Sequence, residues 1–201
     1  MGNVLSIVTS MLVTLVVFSQ FNSWVEAKGP GAAVGSAAPG FTLEDQNGSV
    51  VSLSDFGGKM VVLEWMNPDC PFVQRHYKAK TMTTLAEKYG DVVWIAVNST
   101  HYMTKQDDKT WVDKYNLSYP ILDDNPGKVG RFYGAKTTPH MFIIDKSGML
   151  VYQGAIDDDP GGSKKGNALN YVNKALEEIQ SGGAVTVSQT KPYGCSVKYS
   201  N

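Results

Sequence analysis

The residues of this chain best suited to chemistry are its two cysteines, Cys70 and Cys195. Asn67-Pro68-Asp69-Cys70-Pro71 follows a nearly continuous apolar run, Met60 to Trp65, and opens a helical pattern on Pro71. Proline suits a first helical position because the N–H it lacks would have no partner there. A thiol just ahead of that position feels the positive end of the helix dipole, which favours thiolate and can lower a cysteine pKa by one to several units from about 8.5. That is what a nucleophilic sulfur needs at neutral pH. The competing reading, the commoner fate of a lone cysteine, is a small buried hydrophobe; position argues for the nucleophile.

Glu64 stands among Val, Leu and Trp. A carboxylate is costly to bury charged, so either its pKa is raised or it sits at a strand end and reaches solvent. Thr137-Thr138-Pro139 precedes the apolar run Met141 to Ile144, and a proline just ahead of a central strand removes a ladder donor. Taken alone, Pro139 reads as a turn proline. His76, six residues beyond Cys70, is expected on a different helix face, exposed or at the core edge. His101 and His140 are likewise isolated, and no Cys/His spacing resembles a zinc site, so no metal or cofactor is expected. Asp157-Asp158-Asp159 lacks regular calcium-ligand spacing and reads as a solvated turn before Pro160-Gly161-Gly162.

The elements that must position these groups alternate. Phe41–Leu43 and Val50–Leu53, separated by Asp45-Gln46-Asn47-Gly48, read as a β-hairpin. Met60–Trp65 reads as a strand buried on both faces, and Pro71 to Tyr89 as one long helix ending at Gly90. A second buried strand at Val92–Val97, a short helix at Asp107–Tyr115, a strand at Tyr119–Leu122 and a short helix at Lys128–Tyr133 follow, an alternation that favours an α/β sheet. Met141–Ile144 and Met149–Tyr152 flank Asp145-Lys146-Ser147-Gly148, a hairpin signal. The last helix carries Leu169, Val172, Leu176 and Ile179 on one face and stops at Gly182-Gly183.

The chain has 201 residues, 42% of them apolar, and a net charge of −1, enough for one domain with a real core and without the basic footprint of a nucleic-acid binder. The first apolar run, Val4 to Phe18, is interrupted by Ser and Thr and falls short of the roughly 18–20 residues that span a bilayer. It reads as the core of a signal peptide over residues 1–27, with small residues around a cut before Lys28, although no Lys or Arg precedes it. The expectation is therefore an exported (periplasmic or secreted) protein with one domain over residues 28–201, its tail at 184–201, and no stable membrane anchor after cleavage. In an oxidising compartment a pair of cysteines invites one bridge, yet two sulfurs are too few to staple a fold, which leaves them available for chemistry.

Strand, Trp65-Met66-Asn67-Pro68-Asp69-Cys70-Pro71-Phe72-Val73, helix, then Thr138-Pro139 and a hairpin resembles the thioredoxin superfamily, in its redoxin or peroxiredoxin-like branch. Gly35–Leu43 through Leu53-Ser54-Asp55-Phe56 looks like the redoxin start, and Lys191-Pro192-Tyr193-Gly194-Cys195-Ser196-Val197-Lys198-Tyr199 is similar to the Gly-Cys-Ser tail of a peroxiredoxin-like group. The resemblance implies a thioredoxin-like α/β fold, a central mixed sheet flanked by helices with an N-terminal β-hairpin. It also implies catalytic roles for Cys70, Pro139 as a cis-proline against the sulfur, Thr138, and Glu64 as the buried proton acceptor. Pro71, Phe72 and Trp65 then border the substrate. Val73 holds the place of the motif's second cysteine, so Cys195, 125 positions on, is the only resolving thiol in the chain. Asn67 stands where peroxiredoxins have a Thr, and Pro139 where they have the catalytic Arg, so efficient peroxidase activity is not expected. Arg131 is expected at the surface. Three functions follow as expectations: a thiol–disulfide oxidoreductase acting on protein or small-molecule thiols and disulfides; a weak thiol peroxidase acting on hydroperoxides; or a non-catalytic domain with a structural Cys70–Cys195 bridge.

Overall fold

The computed structural model describes residues 31–164 and 166–200, so the expected signal peptide lies outside the described residues. The strands are β1 (Thr42–Asp45), β2 (Val50–Ser52), β3 (Val61–Trp65), β4 (Val93–Asn98), β5 (Ile121–Asp123), β6 (Thr137–Thr138), β7 (His140–Ile144), β8 (Leu150–Gly154) and β9 (Cys195–Ser196). The helices are α1 (Pro71–Lys78), α2 (Thr81–Lys88), α3 (Lys105–Tyr115), α4 (Lys128–Tyr133) and α5 (Tyr171–Gln180). Seven strands form one mixed sheet in the order β2-β1-β5-β4-β3-β7-β8, while β6 and β9 pair with each other alone.

The centre of the sheet explains the unbroken apolar runs. β3 lies parallel to β4, which lies parallel to β5, and β7 closes antiparallel on the other side of β3. All five residues of β3 are buried, as a central strand covered on both faces requires. Because strand side chains alternate, Val62 and Met66 join Trp94, Ala96, Met141 and Ile143 on one face, beneath α1, α2, α3 and α5. Val61, Leu63 and Trp65 join Ile95, Val97, Phe142 and Ile144 on the other face, with Phe41, Tyr133 and Val197. Each such side chain contributes roughly 1.5–3 kcal/mol when fully removed from water. Glu64 falls in the alternation on the first face, the one that also holds Cys70.

Both predicted hairpins form for the reasons their sequences suggest. Asp45 Oδ1 accepts from the N–H groups of Asn47 and Ser49 at 2.8 Å and closes the β1–β2 turn. Asp145 does the same for Ser147 and Met149 between β7 and β8. α3 starts on a capping box in which Thr104 N–H donates to Asp107 at 2.8 Å and Thr104 Oγ1 accepts from Asp107 N–H.

Two readings of the sequence need correction. The single helix from Pro71 to Tyr89 is two, because Lys80 adopts φ 57° and breaks the chain after α1. The cause is a slip in the apolar spacing: Val73, His76 and Tyr77 face the core from α1, and the next core residues, Met82 and Leu85, come one residue too late for a continuous stripe. The break restores their facing. Leu169 does not belong to the last helix face; it precedes the Asn170 cap and is 46% exposed.

Candidate active site

Cys70 is the N-cap of α1, and its carbonyl accepts from Gln74 N–H at 2.9 Å. The loop that delivers it from β3 is closed by Asn67, whose Oδ1 accepts from Asp69 N–H at 2.8 Å and whose carbonyl accepts from Cys70 N–H at 3.0 Å. Pro71 occupies the first helical turn as expected. The Cys70 sulfur is only 1% exposed and donates to the Thr138 carbonyl at 2.9 Å. The Thr138–Pro139 peptide is cis, and the hydrogen bond from the Cys70 sulfur brings together the residues quoted for the resemblance, Cys70 and Thr138-Pro139.

The tail completes the site from the other side. After α5 the chain runs beside β8, where Gln153 N–H donates to the Ser188 carbonyl and Thr190 N–H to that of Gln153. It then crosses to β6, so that Cys195 sits opposite Thr138 in the β6–β9 pair. Gly194 adopts φ +135°, and a Cβ there would collide with the Thr138 carbonyl oxygen. Beyond it, Val197 N–H donates to the Lys136 carbonyl and Tyr199 Oη to that of Ala135 at 2.9 Å, which pins the end of the tail on the opposite face. Arg131, exposed as expected, lies over the Tyr199 ring at 4.6 Å.

Cys195, paired with Thr138 and packed on the cluster that contains Cys70, is held in a different state from it. Burial pushes the Cys70 pKa up, but the neighbouring Cys195 thiol and the N–H groups of Val73 and Cys195 favour its thiolate and bring it below the ordinary value. Burial and the neighbouring Cys70 push Cys195 up to about 11, against the pull of Lys198. One sulfur is thus poised to attack and the other to hold a proton.

Glu64 is fully buried, and burial raises its pKa to about 8, moderated by hydrogen bonds from Trp94 Nε1 at 3.5 Å and Tyr77 Oη at 3.2 Å to one carboxylate oxygen. Its other oxygen has no partner in the structure. Of the two readings of the sequence, the buried acid holds and the solvent-reaching strand end does not. Phe72 is half-buried and packs on Tyr193, ring centroids 6.0 Å apart, while Pro71 is exposed. Trp65 cannot border a substrate in this conformation. Its side chain is fully buried on the far side of the sheet from Cys70, between Tyr133 and Phe142, and its Nε1 donates to Ser99 Oγ at 3.0 Å. The alternation of β3 places Trp65 and Glu64 on opposite faces, so the Cys70 side excludes Trp65.

A polar cluster beside the cysteines was not legible as such. His76 is buried, not exposed, and its Nε2 lies 2.9 Å from Tyr193 Oη. Tyr193 Oη donates to Asp157 and accepts from Arg75 Nη2 at 3.3 Å. Arg75 also donates to the carbonyls of Asp159 and Pro160 at 2.9 Å. Asp157 and Asp159 are therefore buried structural groups rather than members of a solvated turn. Among the described residues no group of three or more His, Cys, Asp or Glu could hold a metal ion.

Comparison with known proteins agrees with this geometry. Residues 34–153 match the AhpC/TSA family, a span that contains Cys70 and Pro139 but not the tail. The chain is 27% identical over 122 residues to the thiol-disulfide oxidoreductase ResA of Bacillus thuringiensis, covering 60% of this chain and 68% of that one. It is 32% identical over 119 residues to ResA of Geobacillus thermodenitrificans, covering 59% and 67%. Among solved structures, an uncharacterised conserved protein of Geobacillus kaustophilus superposes with a TM-score of 0.74 at 28% identity, covering 84% of this chain and 93% of that one. A protein assigned as the thiol:disulfide interchange protein DsbE of Chlorobium tepidum superposes with a TM-score of 0.54 at 27% identity, covering 61% and 84%. With its mixed sheet, its helix-capping cysteine facing Thr138-Pro139 and these relatives, the chain is a thioredoxin-like oxidoreductase and belongs to the AhpC/TSA family.

Proposed function

We propose that the protein is an exported thiol–disulfide oxidoreductase in which Cys70 is the nucleophile and Cys195 resolves the mixed disulfide. The observation that carries the reading is the placement of Cys195 opposite Thr138 in the β6–β9 pair, beside the carbonyl that accepts from the Cys70 sulfur at the start of α1. The Cys70 thiolate attacks one sulfur of a substrate disulfide; that S–S bond breaks, and the departing sulfur takes up a proton. Cys195 then loses its proton and attacks the Cys70 sulfur, forming the Cys70–Cys195 bond and releasing the second substrate sulfur, which takes that proton. Two electrons have passed to the substrate, and an external dithiol returns them. Glu64, protonated at neutral pH with its pKa near 8, is proposed to protonate the first departing sulfur and then, as the carboxylate, to accept the Cys195 proton and pass it on. Thr138 and Pro139 shape the floor beneath the sulfur, and Pro71 and Phe72 the rim that substrate meets.

Export, with residues 1–27 as leader and 28–201 as one domain, is supported by the interrupted apolar run from Val4 and by the retention of a cysteine pair. Peroxide as substrate is the weaker reading, because Asn67 Oδ1, at the position of the peroxiredoxin threonine, is committed to Asp69 N–H. The decisive experiment is Cys195→Ala mixed with a protein disulfide such as insulin. A mixed disulfide on Cys70 is expected to accumulate to near one equivalent by mass spectrometry, with turnover reduced at least tenfold, while the parent protein shows no trapped species. Unchanged turnover without a trapped species would exclude Cys195 as the resolving thiol. Hydrogen peroxide consumption by the parent protein that exceeds its insulin reduction would favour the peroxidase.

A further inference from the structure

Tyr193 ties the tail to the same helix that carries Cys70. Its hydroxyl is the centre of the polar cluster: it donates to Asp157, accepts from Arg75 Nη2 at 3.3 Å and meets His76 Nε2 at 2.9 Å. The ring lies beside Phe72, with the Arg75 guanidinium 5.7 Å from its centroid. Phe72, Arg75 and His76 all belong to α1, whose N-cap is Cys70, and Tyr193 is two residues ahead of Cys195. The only residue between them, Gly194, runs so close to Thr138 that no side chain fits. Cys195 is thus suspended between two anchors, Tyr193 on the α1 side and Val197 with Tyr199 on the other. Neither cysteine participates in the Tyr193 cluster.

We propose that Tyr193 is a positioning residue for the redox reaction: by holding the tail to α1 it sets the effective concentration of the Cys195 thiol at the Cys70 sulfur. The proposal rests on the resolving role of Cys195 given above. A tail that is pinned presents its thiol intramolecularly, whereas a loosened tail spreads it over a larger volume and lets an external thiol compete. A hydrogen bond to a charged partner, lost in a half-buried site, is worth enough to change such a population by about ten- to a hundredfold.

The test is the equilibrium between the reduced protein plus glutathione disulfide and the Cys70–Cys195 disulfide plus two glutathiones, a two-electron exchange that balances as written. Tyr193→Phe keeps the ring and removes the hydroxyl. The fraction of intramolecular disulfide at a fixed glutathione ratio is expected to fall, corresponding to a ten- to hundredfold lower effective concentration, with glutathione found on Cys70 instead. Asp157→Asn should move the equilibrium in the same direction by less, and the double variant should lose less than the product of the two, since both act on one bond. Circular dichroism and thermal unfolding confirm that each variant is folded. If the parent protein forms no intramolecular disulfide, the resolving role of Cys195 fails and the proposal with it. If the parent forms the disulfide and Tyr193→Phe and Asp157→Asn match it within twofold, the resolving role stands and Tyr193 is overturned as a positioning residue.

Discussion

Cys70→Ser is expected to lower disulfide reduction by at least about 10³-fold while leaving the domain folded. Serine carries the same donor in nearly the same place, so its hydroxyl can still donate to the Thr138 carbonyl that now accepts from the sulfur. The site is 1% exposed, but the substitution changes one atom by a small volume and leaves no buried group unpaired. The stability cost should stay near 1 kcal/mol in a urea titration. Reactivity cannot be rescued in this way. An alcohol at this helix terminus remains protonated, whereas the thiol is drawn toward thiolate by the neighbouring Cys195 thiol and the N–H groups of Val73 and Cys195. Residual activity above about one tenth of the parent would place the chemistry elsewhere.

Glu64→Gln is expected to stabilise the protein by about 2–3 kcal/mol at pH 7 and by almost nothing at pH 4. The folded protein holds the Glu64 proton up to about pH 8, because burial penalises the carboxylate more than Tyr77 and Trp94 can repay it. The unfolded chain releases that proton around pH 4.5. Between these two values the folded state binds one more proton than the unfolded state. The contribution of Glu64 to stability is therefore complete below about pH 4.5 and is lost as pH rises through about 8. Glutamine is neutral throughout and carries no such slope. Its carbonyl can accept from Tyr77 and Trp94, while its amide hydrogens inherit the position of the oxygen that now has no partner, which offsets part of the gain. Paired urea titrations of the two proteins from pH 4 to 9 check this. Parallel stability curves would mean that Glu64 is ionised in the fold and that its burial is matched by a partner. The proposed proton transfer predicts that the same variant turns over more slowly even though it is more stable.

The parts of this molecule that obey local rules were legible from its residues. The central strand β3 is an apolar run because both its faces are covered, and Pro71 marks the start of α1 because it lacks a donor that the first turn would not use. The meeting of Cys70 with Thr138-Pro139 came from the resemblance, since a turn proline and a helix-capping cysteine have no local reason to find each other 68 positions apart. Long-range polar contacts were the hard part. Arg75, His76, Asp157 and Tyr193 are ordinary surface types in sequence, and only the return of the tail across β6 and α1 buries them together. Trp65 was misplaced for a simpler reason. Its position next to the active-site motif suggested the rim, whereas strand alternation turns it to the opposite face. The break at Lys80 left a trace, the five-residue gap between Tyr77 and Met82, which exceeds the three or four residues of a continuous helical stripe.

The reduction potential of the Cys70–Cys195 couple, measured by equilibration with a dithiol buffer of known potential, is the most direct test of a working redox pair. The account predicts reversible exchange at a value above about −300 mV, in the range where donors and acceptors of disulfides operate. A value well below about −300 mV, with no turnover of a protein disulfide, would contradict it and leave Cys70–Cys195 as a structural bridge.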